Sequence, residues 1–360
     1  MIPVTRPFFP SFEKYQQYLE GVWKRQWLTN NGPLVNELEI KVAEFLDSNS
    51  FIFMGNGTIA LQIAIKALGL KGEVITTPFS YVATSSTIVW EGCTPVFVDI
   101  DPNTYNINPS KIEEAITPQT SAILATHVFG NPCDTVAIDE IAKKYNLRVI
   151  YDGAHAFGVK YKGRSLMDYG DVTTLSTHAT KIFHTVEGGG VFTNDVDLFK
   201  KISLMRNFGH SGPDMFSDLG INGKNSEVHA AMGLAVLPFM EKIFAKRKVL
   251  FEYYNKNLEN FPVRGQVIDK NVSYNYSYFP ILFDDPELMR RCIHKLNRAS
   301  IFPRRYFYPS LASLPYVNNS KDLPITNFVT ERILCLPLYH DLSVEEIDLV
   351  CRIMYREYNN

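Results

Sequence analysis

The segment STHATKIFHTVEGGGV, residues 176–191, decides how the rest of the chain is interpreted. It places a hydroxyl at Ser176, a lysine at Lys181 and three consecutive glycines before an apolar run. A lysine that attacks a carbonyl needs a dry and fixed environment that lowers its pKa. From the segment alone, a solvated lysine beside a glycine turn is the commoner interpretation, because most lysines are exposed.

A second segment, VIYDGAHAFG at residues 149–158, changes that interpretation. Its apolar strand ends in Asp152 and is followed by small residues. A carboxylate at the carboxyl end of a buried strand in an α/β sheet points into the crevice where ligands bind. Pyridoxal 5′-phosphate (PLP) requires a lysine that bonds its aldehyde and an aspartate that keeps its ring nitrogen protonated. Asp152 and Lys181 would supply both groups.

The segment MGNGTIALQIAI, residues 54–65, is typical of a turn that leads into a helix. Gly57 allows close backbone approach, Thr58 offers a hydroxyl, and the free amides of a helix start attract a phosphate. Ile59 and Ile63 recur at helical spacing, so the helix itself is well supported. By itself, a Gly-Asn-Gly turn is more often a plain loop.

Strand-like runs alternate with helical patterns along the first two thirds of the chain, at residues 73–77, 94–98, 121–125, 148–151 and 190–193. This alternation predicts a mainly parallel sheet with helices on both faces. A charged helix through residues 239–247 should lead to a smaller domain. That domain is expected to hold a strand at residues 278–283 and a final helix from Val344 to Tyr358.

These segments, in this order, resemble the sugar aminotransferases of the DegT/DnrJ/EryC1/StrS type, which belong to the fold type I PLP enzymes. The resemblance covers nearly the whole chain and includes residues 27–33, 92–101, 127–132, 220–227 and 333–338. It implies an α/β fold with a mainly parallel seven-stranded sheet in a large domain, residues 1–238, and a smaller α+β domain, residues 239–360.

The resemblance also implies roles for further residues. Tyr81 falls where the family stacks an aromatic ring on the cofactor, although the residues alone are equally compatible with a core tyrosine. Ser176 matches a phosphate-binding serine. Asn222 matches an asparagine that reaches the phosphate of the neighbouring subunit, which implies a homodimer with shared sites. His155 stands where many members carry a glutamine that contacts the ring hydroxyl of PLP, and Lys224 where many carry arginine.

The retained Lys181 favours amino transfer, because a related branch replaces this lysine with histidine and dehydrates its substrate. The resemblance implies that L-glutamate donates the amino group, leaving as 2-oxoglutarate, and that a nucleotide-linked keto sugar accepts it. Residues 2–7, 27–33, 154–158 and 220–224 look most like the branch that aminates dTDP-4-keto-6-deoxy-D-glucose for O-antigen and other surface polysaccharides. A C3-aminotransferase and a UDP- or GDP-sugar 4-aminotransferase stay open, because they share the PLP motifs.

Two functions of other classes fit less well. A PLP-free regulatory or binding protein of the same fold would be expected to lack Lys181 or Asp152, and this chain has both. A sugar-binding oxidoreductase could also use an α/β sheet, but it would need a GxGxxG turn after its first strand with an acidic residue further on, and the sequence contains no such turn.

Composition fits a cytoplasmic enzyme. The 360 residues, 46% of them hydrophobic, can bury a large core in two domains. The net charge of -2 and the lack of a basic run argue against nucleic acid as a partner. No signal peptide is expected, and no apolar stretch long enough to span a membrane. Five scattered cysteines predict reduced thiols, and the histidine spacing predicts no metal site.

Overall fold

We describe the protein with a computed structural model of residues 1–317 and 322–359. Within these ranges the helices are α1 (Phe12–Arg25), α2 (Pro33–Leu46), α3 (Gly57–Ala67), α4 (Val82–Trp90), α5 (Thr135–Tyr145), α6 (Val196–Met205), α7 (Glu227–Val236), α8 (Met240–Asn257), α9 (Pro286–Arg298), α10 (Pro324–Thr330) and α11 (Val344–Tyr358). The strands are β1 (Ile2–Pro3), β2 (Ile52–Met54), β3 (Glu73–Thr76), β4 (Thr94–Phe97), β5 (Thr120–Thr126), β6 (Arg148–Asp152), β7 (Lys160–Tyr161), β8 (Arg164–Ser165), β9 (Val172–Ser176), β10 (Gly189–Phe192), β11 (His210–Gly212), β12 (Met215–Phe216), β13 (Val263–Gly265), β14 (Val272–Ser273), β15 (Phe279–Phe283), β16 (Ile301–Phe302) and β17 (Ile333–Leu336).

The central sheet has seven strands in the order β2-β10-β9-β6-β5-β3-β4. Strand β10 runs antiparallel to both of its neighbours, and the pairs from β9 to β4 are all parallel. The predicted mainly parallel seven-stranded sheet is therefore confirmed. The strand-like runs in the sequence indicated five of these strands. They did not indicate β2, which is only three residues long, or β9, whose buried threonines break the apolar pattern.

Both faces of the sheet are buried, which explains the continuous apolar runs in its strands. Successive side chains of a strand point to opposite faces. In β5, Leu124 belongs to the apolar cluster that contains α3, whereas its neighbour Ile123 belongs to the cluster that contains Ile138 of α5. Side chains from one strand thus fill two separate cores.

The C-terminal part of the chain forms a second core around an antiparallel sheet in the order β13-β15-β17. Helices α8, α9 and α11 contribute to this core. Strand β1 pairs in parallel with β16, so the amino-terminal residues join this part of the structure instead of the central sheet. The division after residue 238 stays a prediction.

The helical run from Glu227 to Asn257 is long and apolar enough to cross a membrane by length and composition, with a hydropathy of 1.4 in its most apolar window. The expectation that no apolar stretch reaches that length was therefore wrong. The window is 56% buried inside the protein, and α7 packs against α1 and α2. A helix as apolar and as buried as α7 fits the middle of a large core as well as a bilayer.

The buried carboxylate of Asp99 connects the central sheet to the C-terminal part. Its Oδ1 accepts hydrogen bonds from the backbone N (2.8 Å) and Oγ1 (2.7 Å) of Thr326, and its Oδ2 accepts one from the backbone N of Ile325 (3.0 Å). Asp99 thereby caps the amino terminus of α10 from a distant part of the sequence.

We predict that Asp99→Ala lowers the free energy of unfolding by about 3 kcal/mol, because it leaves buried donors without an acceptor. Asp134→Ala is the matched control. Asp134 caps α5 through Ala137 N at an exposed position, and its loss should cost about 1 kcal/mol. Urea unfolding of both variants would measure the difference. Equal losses would contradict the importance of this buried cap.

Candidate active site

A cavity of about 370 Å³ opens at the carboxyl ends of β5, β6 and β9, beside the start of α3. This is where ligands bind in α/β sheets. Seven of the eight predicted site residues line it: Gly57, Thr58, Tyr81, Asp152, His155, Ser176 and Lys181. The loop after β16 closes the other side with Arg304, Tyr306 and Phe307.

Lys181 and Asp152 are two opposite charges in this buried setting. Burial lowers the pKa of Lys181 to about 8, against the attraction of Asp152, and the charge of Arg304 lowers it further. Burial raises the pKa of Asp152, whereas hydrogen bonds from Ala154 N and Thr84 Oγ1 and the charge of Lys181 oppose that rise. The site thus holds a lysine that gives up its proton easily and a carboxylate held in place by donors.

A chain of hydroxyl groups orients the carboxylate of Asp152. Thr84 Oγ1 donates to Asp152 Oδ2 at 2.9 Å, Ser80 Oγ lies 2.8 Å from Thr84 Oγ1, and Thr126 Oγ1 donates to Ser80 Oγ at 3.1 Å. Because Thr84 uses its proton on Asp152, Ser80 must donate to Thr84. No sequence pattern predicts a role for these three residues, because buried hydroxyls have no distinctive spacing.

His155 presents a neutral N–H donor to the cavity. Its Nδ1 accepts a hydrogen bond from Phe129 N at 3.3 Å, which leaves the proton on Nε2. Burial lowers the pKa of His155 well below its ordinary value, and its ring lies parallel to that of Phe307, with centroids 5.8 Å apart. His155 can therefore donate one hydrogen bond without titrating near neutral pH.

The start of α3 forms an anion-binding end of the cavity. Asn56 Oδ1 caps the helix by accepting from Ile59 N at 2.8 Å. A Cβ on Gly57 would lie 3.0 Å from the Cβ of Ser176, so a larger residue here would push the helix start and β9 apart by a few tenths of an ångström. Across the described ranges, the hydroxyls of Thr58 and Ser176 make no hydrogen bond within the chain. They are available to a phosphate.

Asn222 is the predicted site residue that the single chain does not bring into the cavity. It is exposed, and its Oδ1 accepts a hydrogen bond from Lys224 Nζ at 2.6 Å. Lys224 also lies over the ring of Phe208, 5.0 Å from its centroid. Contact of Asn222 with the phosphate of a neighbouring subunit stays a prediction.

The residues that line the cavity fit PLP. Lys181 offers an amine to an aldehyde, Asp152 an acceptor to a protonated ring nitrogen, and His155 a donor to a ring hydroxyl. At the other end, Thr58 and Ser176 offer unpaired hydroxyls to a phosphate beside the amides of α3. These are the four polar functions of PLP that a protein must contact.

We predict that the apoprotein takes up PLP faster as the pH rises, with the increase levelling off above about pH 8. The deprotonated amine is the reactive form, and with a pKa of about 8 half of Lys181 is deprotonated at that pH. Borohydride trapping followed by mass spectrometry of the labelled peptide measures this rate, with acetyl-lysine amide as the reference. A rate that climbs in parallel with the reference up to pH 10 would contradict the lowered pKa.

We predict that Thr84→Val slows amino transfer about tenfold, because Asp152 loses a hydrogen bond worth about 1.5 kcal/mol or more. Thr87→Val is the matched control, since Thr87 Oγ1 is buried on the same helix and, within the part of the chain that the structure describes, bonds only to the backbone carbonyls of Ala83 and Thr84. The visible spectrum of the bound cofactor should change for Thr84→Val and stay unchanged for Thr87→Val. Identical behaviour of the two variants would remove Thr84 from the site.

Comparison with known proteins identifies relatives along the whole chain. The profile of the DegT/DnrJ/EryC1/StrS aminotransferase family matches residues 11–355. Two proteins named dTDP-4-amino-4,6-dideoxy-D-glucose transaminase are similar to this chain. The one from Escherichia coli is 43% identical, covering 98% of each protein, and the one from Shigella dysenteriae is 44% identical, covering 96% of each.

The fold has a solved counterpart. The crystal structure of DesI in the presence of its TDP-sugar product superposes with a TM-score of 0.94 at 32% identity, covering 98% of this chain and 92% of DesI. TlmJ from Streptoalloteichus hindustanus, an aminotransferase 24% identical to this chain, has the same fold, with a TM-score of 0.93. The superposition covers 100% of this chain and 99% of TlmJ. The members of the matched family depend on PLP, whose chemical functions the cavity fits. The chain belongs to the DegT/DnrJ/EryC1/StrS family of PLP-dependent aminotransferases.

Proposed function

We propose that this protein transfers the amino group of L-glutamate to C4 of dTDP-4-keto-6-deoxy-D-glucose, giving dTDP-4-amino-4,6-dideoxy-D-glucose and 2-oxoglutarate. The observation that carries the proposal is the 43–44% identity, over 96–98% of the chain, to two transaminases named for that product. We also propose that the enzyme is cytoplasmic and that its product supplies an amino sugar to O-antigen or another surface polysaccharide.

The proposed roles of the polar residues follow from their positions. Lys181 would hold the cofactor through its Nζ and would move a proton at the substrate carbon, for which a pKa of about 8 is well suited. Asp152 keeps a proton on the ring nitrogen. The protonated ring of PLP supplies the chemistry, because it withdraws electrons from the carbon that loses its proton.

The remaining residues hold the cofactor still. The Nε2–H of His155 would donate to the ring hydroxyl oxygen, and Tyr81 would cover one face of the ring. Thr58 and Ser176 would donate to the phosphate at the start of α3. The aromatic residues Tyr278, Tyr306 and Phe307 keep water away from the reacting atoms on the C-terminal side. Fixed geometry of this kind supplies much of the rate enhancement of an enzyme.

Other nucleotide sugars are the second candidate. GDP-perosamine synthase of Escherichia coli O157:H7 is 32% identical over 100% of this chain. A dTDP-3-amino-3,6-dideoxy-alpha-D-galactopyranose transaminase of Aneurinibacillus thermoaerophilus is 30% identical over 96% of it. Both identities are lower than 43–44%, which favours the dTDP sugar and amination at C4.

The substrate proposal is tested by incubating the holoenzyme and L-glutamate with dTDP-4-keto-6-deoxy-D-glucose, a dTDP-3-keto sugar and UDP- and GDP-4-keto sugars. NMR of the products identifies the aminated carbon. We predict that the dTDP-4-keto sugar is used at least tenfold faster than the others, by kcat/KM, and that Lys181→Ala forms no product. Preferential use of another sugar would replace this substrate, and turnover by Lys181→Ala would overturn the proposed role of Lys181.

We also propose that the active unit is a homodimer with shared sites. The segment around Asn222 exposes a row of apolar side chains, with Phe216 and Leu219 each 66% exposed and Ile221 also exposed. Exposed apolar patches of this kind are typical of protein interfaces. In a dimer with two-fold symmetry, this surface would carry Asn222 to the phosphate end of the neighbouring site.

The shared-site proposal predicts that two inactive variants restore activity when mixed. Lys181→Ala inactivates the subunit that holds the cofactor, and Asn222→Asp places a carboxylate beside the phosphate of the neighbour. In a mixed dimer, one site carries both changes and the other carries neither. With free exchange, half of the dimers are mixed, so about a quarter of the wild-type activity should return. Activity that stays at zero after verified exchange would contradict shared sites.

A further inference from the structure

Arg304 is an exposed cation that lines the active-site cavity, and no carboxylate among the described residues pairs with it. Its backbone is fixed to β17 by two hydrogen bonds, from Arg304 N to Cys335 O (3.0 Å) and from Cys335 N to Arg304 O (2.8 Å). Its guanidinium lies over the ring of Tyr306, 4.8 Å from the centroid. Among the described residues no side chain or carbonyl accepts a hydrogen bond from this guanidinium. Its neighbour Arg305 differs, since it pairs with Glu331 and donates to Thr330 O.

Arg304 lines both the main cavity and a second, smaller cavity. The second cavity measures about 140 Å³ and shares Ser80, Tyr81, Arg304, Tyr306 and Phe307 with the main cavity. Sites for drug-sized ligands begin at roughly 300 Å³. The second cavity is therefore too small for a nucleoside but large enough for a short acidic side chain.

Two acidic residues, Asp152 and Glu187, line the same cavity as Arg304. Asp152 is buried, whereas Glu187 is exposed and lies 3.5 Å from His178. After burial and the attraction of Asp152, the charge of Arg304 is the third influence on the pKa of Lys181, which it lowers. An amino acid has the complementary charges, with an amino group that must reach the cofactor near Lys181 and a carboxylate that needs a cation.

We propose that Arg304 binds a carboxylate of the amino donor through the two parallel N–H groups of its guanidinium. The inference rests on the proposed transfer from a dicarboxylic amino acid such as L-glutamate. A guanidinium matches a carboxylate in shape and charge, and the small adjoining cavity takes the rest of the donor's short chain.

The diphosphate of the nucleotide sugar fits this position less well. The α-carboxylate of an amino acid is bonded directly to the carbon that reacts, whereas the diphosphate of a 4-keto sugar is separated from C4 by the sugar ring. Arg304 lines the same cavity as Lys181, where the reacting carbon must lie. A cation that lines the reaction cavity therefore suits the carboxylate of the amino acid.

The test measures the two halves of amino transfer separately, using holoenzyme. Conversion of the PLP form to the amine form by L-glutamate alone, followed by visible absorbance, gives the apparent Kd for L-glutamate. Reaction of the amine form with the keto sugar gives the apparent Kd for the sugar. For Arg304→Gln we expect the Kd for L-glutamate to rise about thirtyfold and the Kd for the sugar to change by less than about threefold.

Two further variants separate the charge from the geometry. Arg304→Lys keeps the charge but loses the two-pronged contact, so the Kd for L-glutamate should lie between those of the wild type and Arg304→Gln. Arg298→Gln removes an exposed arginine at the end of α9 and should leave both half-reactions unchanged. Thermal unfolding of the three variants checks that each is folded.

Calorimetry with glutarate, a dicarboxylate without an amino group, gives a readout independent of turnover. Binding to the holoenzyme should weaken at least tenfold in Arg304→Gln. Equal losses in both half-reactions, or unchanged binding of L-glutamate and glutarate, would overturn the inference. If the wild type accepts the amino group of L-glutamate but no keto sugar receives it, the proposed acceptor fails while the role of Arg304 stands.

Discussion

The burial of two opposite charges, Lys181 and Asp152, is the constraint on which the rest of the site depends. Burial alone disfavours the charged form of each, lowering the pKa of Lys181 and raising that of Asp152. Each charge partly offsets the other, and Thr84 and Ala154 donate hydrogen bonds to the carboxylate. The balance leaves a lysine that can lose its proton near pH 8 beside an aspartate that accepts hydrogen bonds. PLP chemistry needs both properties.

The central sheet makes that burial possible. Strands β5, β6 and β9 are parallel neighbours. Their last residues, Thr126, Asp152 and Ser176, therefore lie at the same edge of the sheet. Apolar clusters on both faces of the sheet keep water out of the strands themselves. At the edge, backbone amides and hydroxyls replace water as partners of the polar groups. The cavity therefore has polar groups where it meets the strand ends, and the apolar core of the sheet lies behind them.

The C-terminal part completes the cavity from the opposite side. Its aromatic residues Tyr278, Tyr306 and Phe307 line the site, and Arg304 brings a positive charge. The backbone bridge between Arg304 and Cys335 fixes this loop to β17. Asp99 joins the end of the central sheet to α10. The contacts that assemble the fold are therefore also the contacts that position the residues facing the substrate.

The sequence by itself determined the fold class and most of the cofactor end of the site. Apolar periodicity indicated five strands of the central sheet, and α11 has the bounds that were predicted for the final helix, because these patterns are local. Lys181, Asp152, Thr58 and Ser176 stand in segments whose order along the chain resembles the family. Local sequence patterns predict these four side chains because each one lies in its own short segment, at or near the end of a strand or the start of a helix.

Only the tertiary structure decided the rest. The hydroxyl chain from Thr126 to Asp152 joins three separate segments, and the buried state of His155 depends on Phe307, 152 residues further along the chain. Arg304 gave no signal in the sequence, since one arginine in a loop has no pattern. Asn222 is exposed in the single chain, so the phosphate contact proposed for it requires a second copy. Contacts between distant segments determine pKa, tautomer and cavity shape, and no local spacing encodes them.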